Sequence, residues 1–299
     1  MTLIISWIGV DDKKTGKEIS SLYIASDSRY SAGAKTKFDY GIKVFGTSKY
    51  PEIFGFCGDV LFPSTILGQI IPQIDNGILL KESDDCNTKN TKIFNYIKTS
   101  LEEYPDSFLG NTFTIIHGTR FGKQFKLFKF FYSKKQGIVI SEVPLGKVST
   151  KVLSDGSGAK EFDDKWSNIW DNHKHNDYRT SRAVYHCLNK TLEEIKDPHT
   201  GGLPQIVGLY RNKNSRIFGI AENNNKYIYG KLSSEDINSK SIEWRNENFE
   251  RIDPETLKIL EGAQKQPLQG ATPWLSTNLI SQSFGEVEVT DGRNTIIRV

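Results

Sequence analysis

The chain has 299 residues, of which 37% are hydrophobic and 25% are charged. These proportions are those of an ordinary globular protein, and they exclude a disordered or fibrous chain. The formal net charge of +3, from 39 basic and 36 acidic residues, is too small to indicate a nucleic-acid or membrane partner.

The cysteines and the N-terminal segment bear on cellular location. The three cysteines, Cys57, Cys86 and Cys187, lie far apart, which indicates reduced intracellular thiols and neither a disulfide framework nor a metal site. Residues 1–10 are apolar but lack the flanking signals of a secretory peptide. No window approaches the ~20 apolar residues of a membrane helix. We therefore expect a cytoplasmic protein with no metal and no cofactor.

Four strands and then two helices are predicted in the first part of the chain. The strands are predicted over residues 2–10, 22–26, 38–45 and 53–57. The first two form a hairpin across the charged segment 11–18. Apolar residues at helical spacing predict helices over 60–74 and 90–104, and the polar segment 75–89 is predicted to be a surface loop.

The next part of the chain repeats this order. Four strands are predicted over residues 113–116, 125–132, 138–143 and 147–153, two helices over 159–170 and 179–196, and two strands over 205–210 and 216–220. Apolar residues occupy both alternating sets of positions in 125–131. This pattern predicts a strand that is covered on both faces.

Residues 223–299 carry no recognisable motif. We predict a strand over 226–231, a short helix over 254–262 and a loop over 264–269. Scattered aromatic and apolar residues, among them Trp244, Phe249, Trp274, Leu275 and Phe284, favour a packed extension or a contact between subunits over an independent domain.

The second residue of the chain, Thr2, could act as a nucleophile. Removal of the initiator methionine would leave Thr2 with a free α-amine, whose pKa near ~8 suits it to deprotonate its own hydroxyl. Such a nucleophile needs a nearby cation, a carboxylate to hold that cation, and a backbone amide for the oxyanion. Lys43, Asp27 and the region of Gly58 could supply these in turn.

These residues carry a family resemblance. Ala25-Ser26-Asp27-Ser28-Arg29, with Ala32-Gly33 following, resembles the signature of proteasome β-subunits and their bacterial relatives HslV and Anbu, and it is nearest to Anbu. The interval of 16 residues from Asp27 to Lys43 is also that of the family. Three later segments, 55–59, 155–159 and 196–202, resemble the family's remaining motifs in the correct order, with Lys196 and Thr200 where the family has arginine and serine.

The resemblance implies roles for individual residues. The implied catalytic set is Thr2, Asp27, Lys43, Gly58, Ser157, Asp197 and Thr200. Within it, the Gly58 amide receives the oxyanion, and Ser157, Asp197 and Thr200 hold the Thr2 amine. Substrate binding is implied for Arg29, Ser31 and Phe56, with Phe56 lining the pocket for the substrate side chain before the cleaved bond. His199 lies at a variable position of its motif and is given no role.

The resemblance covers residues 2–222 and implies an α+β fold, the four-layer αββα sandwich of N-terminal-nucleophile (Ntn) hydrolases, with residues 223–299 as a C-terminal extension. The implied function is a threonine peptidase that cleaves peptides or unfolded proteins, forms a homo-oligomer and could take an ATPase unfoldase as partner. Two alternatives stay open. One is a catalytically silent scaffold or binding subunit, and the other is an Ntn amidase that acts on a small molecule.

Two other patterns have simpler interpretations. The pair His173 and His175 could bind a metal, but its spacing within a charged segment fits a solvated loop better. Lysines interleaved with aromatic residues over 123–135 could suggest a nucleic-acid platform. A buried strand with lysines at its ends explains that segment better.

Overall fold

The computed structural model describes residues 2–13, 16–33, 35–233, 242–261 and 263. This part of the chain forms a mixed α/β fold with mainly antiparallel sheets and four α-helices. The strands are β1 (Ile4–Lys13), β2 (Gly16–Ser26), β3 (Tyr30–Ala32), β4 (Thr36–Phe38), β5 (Val44–Gly46), β6 (Glu52–Gly58), β7 (Thr112–Phe121), β8 (Gln124–Ser133), β9 (Gly137–Val143), β10 (Thr150–Asp155), β11 (Gln205–Tyr210), β12 (Lys213–Glu222), β13 (Asn225–Ile228), β14 (Lys231–Leu232) and β15 (Ile242–Arg245). The helices are α1 (Leu61–Asp75), α2 (Cys86–Glu102), α3 (Ala159–Lys165) and α4 (Ser181–Glu194), with a 3-10 turn at Asp106–Phe108 and a π-helical turn at Trp166–Trp170.

Two large sheets organise the molecule. The first has the strand order β10-β1-β2-β11-β12-β13-β14, with β15 beside β12 in the parallel sense. The second has the order β5-β6-β7-β8-β9, and β3 and β4 form a separate hairpin. The predicted hairpin of the first two strands is confirmed, since Ile4 pairs with Ser26 and Lys13 with Gly16.

Alternating residues of the strands supply three large buried cores, and a small fourth cluster contains Ala221, Trp244 and Ile252. The first core lies between one face of the first sheet and helices α3 and α4. It contains Trp7 of β1, Tyr23 of β2 and Leu188 of α4. The second core joins the second sheet to α1 and α2 and includes Phe56 and Phe130. The third core contains apolar residues from the remaining faces of both sheets. Its sheet residues include Ile4, Leu22, Ile53 and Leu127.

β8 confirms the prediction of a strand covered on both faces. Phe125 and Leu127 belong to the third core, whereas Phe128 and Phe130 belong to the second. β8 lies between β7 and β9 in its sheet. Phe125, Phe128 and Phe130 are therefore core residues.

The start of α2 corrects the predicted loop 75–89. The helix begins at Cys86, because the Asp85 carboxylate accepts a hydrogen bond from the Thr88 amide at 2.7 Å and so caps the first turn. Lys89 and Asn90 are buried within this helix. Asp85 was a helix signal inside a segment whose polarity suggested a loop.

Part of the segment after residue 222 belongs to the fold, as strands β13, β14 and β15. The predicted strand 226–231 is interrupted, because Tyr229 and Gly230 turn the chain between β13 and β14. The predicted helix 254–262 is wrong over its described part, where residues 254–256 form a turn and Ile259 pairs with Ile252. The predicted loop 264–269 and Trp274, Leu275 and Phe284 lie outside the described residues.

Two aromatic residues of this segment are core residues. Phe249 is fully buried in the first core, and Trp244 is 3% exposed and packs against Gly219. Their side chains are covered within the chain, as the packed-extension alternative expects. Among the described residues, no helix is both long and apolar enough to cross a membrane.

Candidate active site

Three of the predicted catalytic residues, Thr2, Asp27 and Lys43, meet at one end of the first sheet. Thr2 immediately precedes β1, Asp27 follows β2 and Lys43 precedes β5. In the antiparallel β1 and β2 pair, Ile4 lies opposite Ser26, so Thr2 and Asp27 are brought together by strand register. Thr2 is 1% exposed, and Asp27 and Lys43 are fully buried.

Lys43 bridges the other two side chains. Its Nζ donates to Thr2 Oγ1 at 2.8 Å and to Asp27 Oδ1 at 2.9 Å. Burial lowers the pKa of Lys43, and the adjacent Asp27 carboxylate opposes this effect. A protonated Lys43 would place a positive charge against the threonine hydroxyl and favour the alkoxide.

Backbone amides fix the Asp27 carboxylate. Leu3 N donates to Oδ1 at 3.0 Å, Gly201 N donates to Oδ2 at 3.0 Å, and Arg29 N donates to Oδ2 at 3.2 Å. Because these donors come from three separate segments, Asp27 also ties the turn 197–202 to the start of β1. Such charge-assisted hydrogen bonds stabilise a buried carboxylate.

The backbone nitrogen of Thr2 lies beside a second polar group. It donates to Ser157 Oγ at 3.2 Å, and Ser157 Oγ donates in turn to Asp197 Oδ2. Thr200 Oγ1 donates to the same Asp197 oxygen at 2.7 Å. Burial raises the pKa of Asp197, but the hydrogen bonds from Ser157 and Thr200 outweigh it and hold that pKa below its usual value.

The turn that presents Ser157 depends on Gly156. Its φ is +93°, and a Cβ atom there would lie 2.0 Å from the Thr2 carbonyl oxygen. Gly158 N also donates to that carbonyl at 3.2 Å. Only a glycine lets this turn pack directly against the backbone of Thr2.

Gly58, the residue predicted to receive the oxyanion, is the last residue of β6. Its φ of +91° is disfavoured for other residues, and a Cβ atom there would lie 2.6 Å from the Thr112 carbonyl oxygen. Cys57, its neighbour, is a competing nucleophile by residue type. Burial raises the pKa of its thiol to about 12, which keeps it protonated.

The three predicted substrate-binding residues have different settings. Arg29 forms an ion pair with Asp39, with Nε 2.6 Å from Oδ1, and donates to the Thr200 carbonyl at 3.1 Å. Ser31 Oγ lies 3.0 Å from His199 Nδ1. Phe56 is fully buried in the second core and stacks on Phe45. A role for Phe56 in a substrate pocket stays a prediction, and it would require the ring to become accessible.

Sequence reasoning missed Gln205, which is 1% exposed at the start of β11. Its Oε1 accepts from Lys43 N at 2.9 Å, and its Nε2 donates to the carbonyls of Asp27 at 3.1 Å and Gly41 at 2.8 Å. It therefore clamps the backbones of the two charged residues. The available sequence signal was a glutamine side chain at the start of an otherwise apolar strand.

No protein-family model matches the sequence, and no curated protein matches it. Solved structures do. The Anbu complex from Pseudomonas aeruginosa, described as a helical assembly, is 12% identical with a TM-score of 0.50, covering 79% of this chain and 88% of that one. Two other Anbu structures also match. Anbu from Yersinia bercovieri is 12% identical with a TM-score of 0.48, covering 70% of this chain and 82% of that one. An Anbu Gly-1 mutant from Hyphomicrobium sp. strain MC1 is 12% identical with a TM-score of 0.47, covering 97% of this chain and 100% of that one. The chain thus shares the proteasome-like Ntn fold of Anbu, which is the fold that the sequence motifs resemble.

Proposed function

We propose that this protein is a proteasome-like Ntn hydrolase whose nucleophile is Thr2, acting as a threonine peptidase after removal of Met1. The observation that carries the proposal is the position of Lys43 Nζ between Thr2 Oγ1 and Asp27 Oδ1. Thr2 lies 41 positions before Lys43 in the sequence, and Asp27 lies 16 positions before it. The Thr2 nitrogen beside Ser157 and Asp197 supports it.

In the proposed mechanism the free Thr2 amine takes the proton of Thr2 Oγ1, and the oxygen attacks the substrate carbonyl. Lys43 stabilises the developing negative charge on the nucleophile, and Asp27 holds Lys43 in place. The Gly58 amide receives the oxyanion. The protonated amine then gives its proton to the leaving amine, and a water molecule releases the acyl group from Thr2.

Ser157, Asp197 and Thr200 orient the amine in this mechanism. A neutral amine needs an acceptor for its own hydrogens and a lone pair directed toward Oγ1. Ser157 Oγ, 3.2 Å from the Thr2 nitrogen, provides an acceptor on one side, and Asp197 accepts from Ser157 and so orients that hydroxyl. We assign these residues to positioning of the base.

We further propose the four-layer αββα arrangement for residues 2–222. The three cores support it, because one contains α3, α4 and the first sheet, one contains both sheets, and one contains the second sheet with α1 and α2. Residues 242–252 add to the first sheet and its core. We therefore treat that part of the extension as belonging to the same domain.

The proposed substrates are peptides or unfolded proteins, in a homo-oligomer that restricts access to the site. The Pseudomonas relative is described as a helical assembly, and the proposal extends assembly to this chain. An ATPase unfoldase partner remains part of the proposal and rests on the resemblance alone. A cytoplasmic location also remains part of it and rests on the cysteines and the N-terminal segment.

Intact-mass analysis followed by labelling tests the proposal. We expect the protein from its native host to begin at Thr2, and a peptide epoxyketone to add covalently to both the amine and Oγ1 of Thr2. A Thr2→Ala variant is the matched control and should remain unlabelled. Retention of Met1 in all of the native protein would favour the scaffold alternative. Turnover of a small amide, with no cleavage of peptides, would favour the amidase.

A further inference from the structure

Lys129 and Asp155 form an ion pair that joins the two large sheets near Thr2. Lys129 Nζ lies 2.6 Å from Asp155 Oδ2, and the two side chains are 29% and 25% exposed. Lys129 belongs to β8 of the second sheet, and Asp155 is the last residue of β10 in the first sheet. The mechanism proposed above makes no use of this pair.

The face of β8 that carries Lys129 is otherwise apolar. Phe125 and Leu127 of that face belong to the third core, and Lys129 is the next residue in the alternation. Phe131 follows it, with its ring centroid 5.8 Å from Lys129 Nζ. A partly buried ion pair is often no more stabilising than apolar residues of similar volume. Stability alone therefore does not explain a lysine at this position.

The Asp155 carboxylate is fixed close to the nucleophile. Asp155 lies opposite Ile4 in the pair of β1 and β10, and Thr2 precedes Ile4 by two residues, which is roughly 7 Å of extended chain. Asp155 Oδ1 accepts from Gly156 N at 2.7 Å, in the turn that packs against the Thr2 carbonyl. Asp155 Oδ2 also accepts from Thr114 Oγ1 at 2.9 Å.

Titratable groups from several segments surround the Thr2 nitrogen. They are Asp27, Lys43, Cys57, Lys129, Asp155 and Asp197. Asp27 is paired with Lys43, Asp197 accepts from two hydroxyls, and Arg29 is paired with Asp39. Burial, followed by the Asp155 carboxylate, raises the pKa of the Cys57 thiol to about 12, and Lys129 opposes the rise. The charges of Lys129 and Asp155 therefore act on groups at this end of the fold.

We propose that Lys129 is a positioning residue that acts through Asp155: by offsetting this carboxylate, it keeps a larger fraction of the Thr2 amine unprotonated at neutral pH. An unpaired carboxylate near an amine favours the ammonium form, which cannot accept the proton of Thr2 Oγ1. Because an α-amine ordinarily has a pKa near ~8, a further rise would remove most of the free base. The inference rests on the proposed function, in which this amine is the base.

Nitrogen-15 NMR of the full chain without Met1, labelled with 15N-threonine, tests the inference. Thr2 is then the labelled residue whose nitrogen is an amine, so its signal is distinct from those of the amides. We expect the titration midpoint of this amine to be higher by about half a pH unit or more in Lys129→Gln than in the wild type. Lys129→Arg should titrate like the wild type.

A double variant shows whether Lys129 acts through Asp155. In Lys129→Gln/Asp155→Asn both charges are removed, while the asparagine can keep the contacts with Gly156 N and Thr114 Oγ1. We expect the amine midpoint to return toward the wild-type value. An unchanged midpoint in Lys129→Gln, or no return in the double variant, would overturn the proposal.

Lys126→Gln is the matched control. Lys126 lies on the opposite face of β8 from Lys129 and forms its own ion pair with Glu142 at 2.9 Å, so the same charge is lost from the same strand. It should titrate like the wild type, and a shift equal to that of Lys129→Gln would overturn the proposal. Thermal melts check that all the variants fold.

Peptide cleavage separates a failure of this inference from a failure of the proposed function. In Lys129→Gln the acid limb of kcat/KM against pH should move by the same amount as the amine midpoint, with activity like the wild type above about pH 10. A wild type that neither cleaves peptides nor reacts with an epoxyketone would contradict the proposed function, and the amine midpoints would still test Lys129. An active wild type with an unchanged midpoint in Lys129→Gln would contradict the inference alone.

Discussion

At the scale of single residues, the contact between Lys43 Nζ and Thr2 Oγ1 gives the sharpest prediction. In Lys43→Ala the cation beside the nucleophile is lost, and we expect peptidase activity to fall by ~10²-fold or more, equivalent to ~3 kcal/mol of barrier. Lys43→Arg should not restore activity, since the fully buried ammonium site has no room for a planar guanidinium.

The fold should survive the loss of Lys43, because Asp27 keeps its three backbone donors. Steady-state peptide cleavage and a thermal melt measure the two effects. Lys49→Ala, at an exposed position, is the control and should cleave normally. Wild-type turnover in Lys43→Ala would remove this lysine from the mechanism.

Gln205 carries a second prediction, as a positioning residue. In Gln205→Glu the side chain keeps an acceptor for Lys43 N but loses the donor to the carbonyls of Asp27 and Gly41. We expect kcat to fall by about tenfold or more with little change in KM, because substrate does not touch this residue. A parallel rise in KM at constant kcat would contradict a positioning role.

The depressed pKa of Asp197 gives a pH dependence of stability. Since hydrogen bonds hold the folded-state pKa below the usual 3.8, ionised Asp197 stabilises the fold at pH values above the unfolded pKa. That contribution is lost as the pH falls through the folded-state pKa. Urea unfolding should therefore show Asp197→Asn less stable than the wild type at pH 6, with the difference shrinking below pH 4.

Asp164→Asn changes an exposed carboxylate and serves as the control for this series, with no comparable dependence expected. A difference between Asp197→Asn and wild type that persists unchanged to pH 2.5 would show that Asp197 contributes by packing alone.

The sequence predicted the charged residues of the site better than the groups that hold them. Asp27 and Lys43 were predictable because their interval and their flanking residues form a pattern along the chain. Gln205 was not, because its partners lie 162 and 164 residues away in sequence. The pairing of Arg29 with Asp39 was missed for a similar reason, since an acidic residue at a hairpin end is ordinary.

At the scale of elements, the turn at residues 156–158 controls the position of Thr2. In Gly156→Ala the new methyl group would overlap the Thr2 carbonyl oxygen at 2.0 Å, and the backbone would have to leave φ +93°. We expect labelling of Thr2 by a peptide epoxyketone to slow by at least tenfold. Gly122→Ala is the control. Gly122 also has a positive φ, of +56°, but a Cβ atom added there would have nothing within 4 Å.

Both glycine variants are strained in backbone conformation, so both should lose some stability. Only Gly156→Ala should lose reactivity at Thr2, and equal reactivity in the two variants would show that this turn does not set the geometry of the nucleophile.

Element boundaries show where local sequence signals suffice. Strand β8 was predicted because its apolar residues occupy both alternating sets of positions. The start of α2 was missed because the Asp85 cap lay inside a polar run. The helix expected over 254–262 does not form, although Asp253 accepts from the amides of Glu255 and Thr256 as a helix cap would. The chain turns at Leu257, whose φ is +56°, and Ile259 then pairs with Ile252.

At the scale of the whole molecule, the C-terminal region has two parts with different consequences for assembly. β15 pairs with β12, and Phe249 fills the first core beside Trp7 and Tyr23. A chain ending near Lys231 would lose these contacts, so it would test folding and assembly together. A chain ending after residue 263 keeps all the described elements and tests assembly alone.

The last prediction concerns that shorter chain. An exposed N-terminal threonine peptidase would cleave unfolded proteins indiscriminately, so we expect the full chain to form a homo-oligomer of six or more subunits, with closed or repeated contacts between identical surfaces. Native mass spectrometry should show it, and truncation after residue 263 should give smaller species that still unfold cooperatively in a thermal melt. A monomeric full-length protein with full peptidase activity in dilute solution would contradict this expectation. Control of substrate access would then have to reside within one subunit.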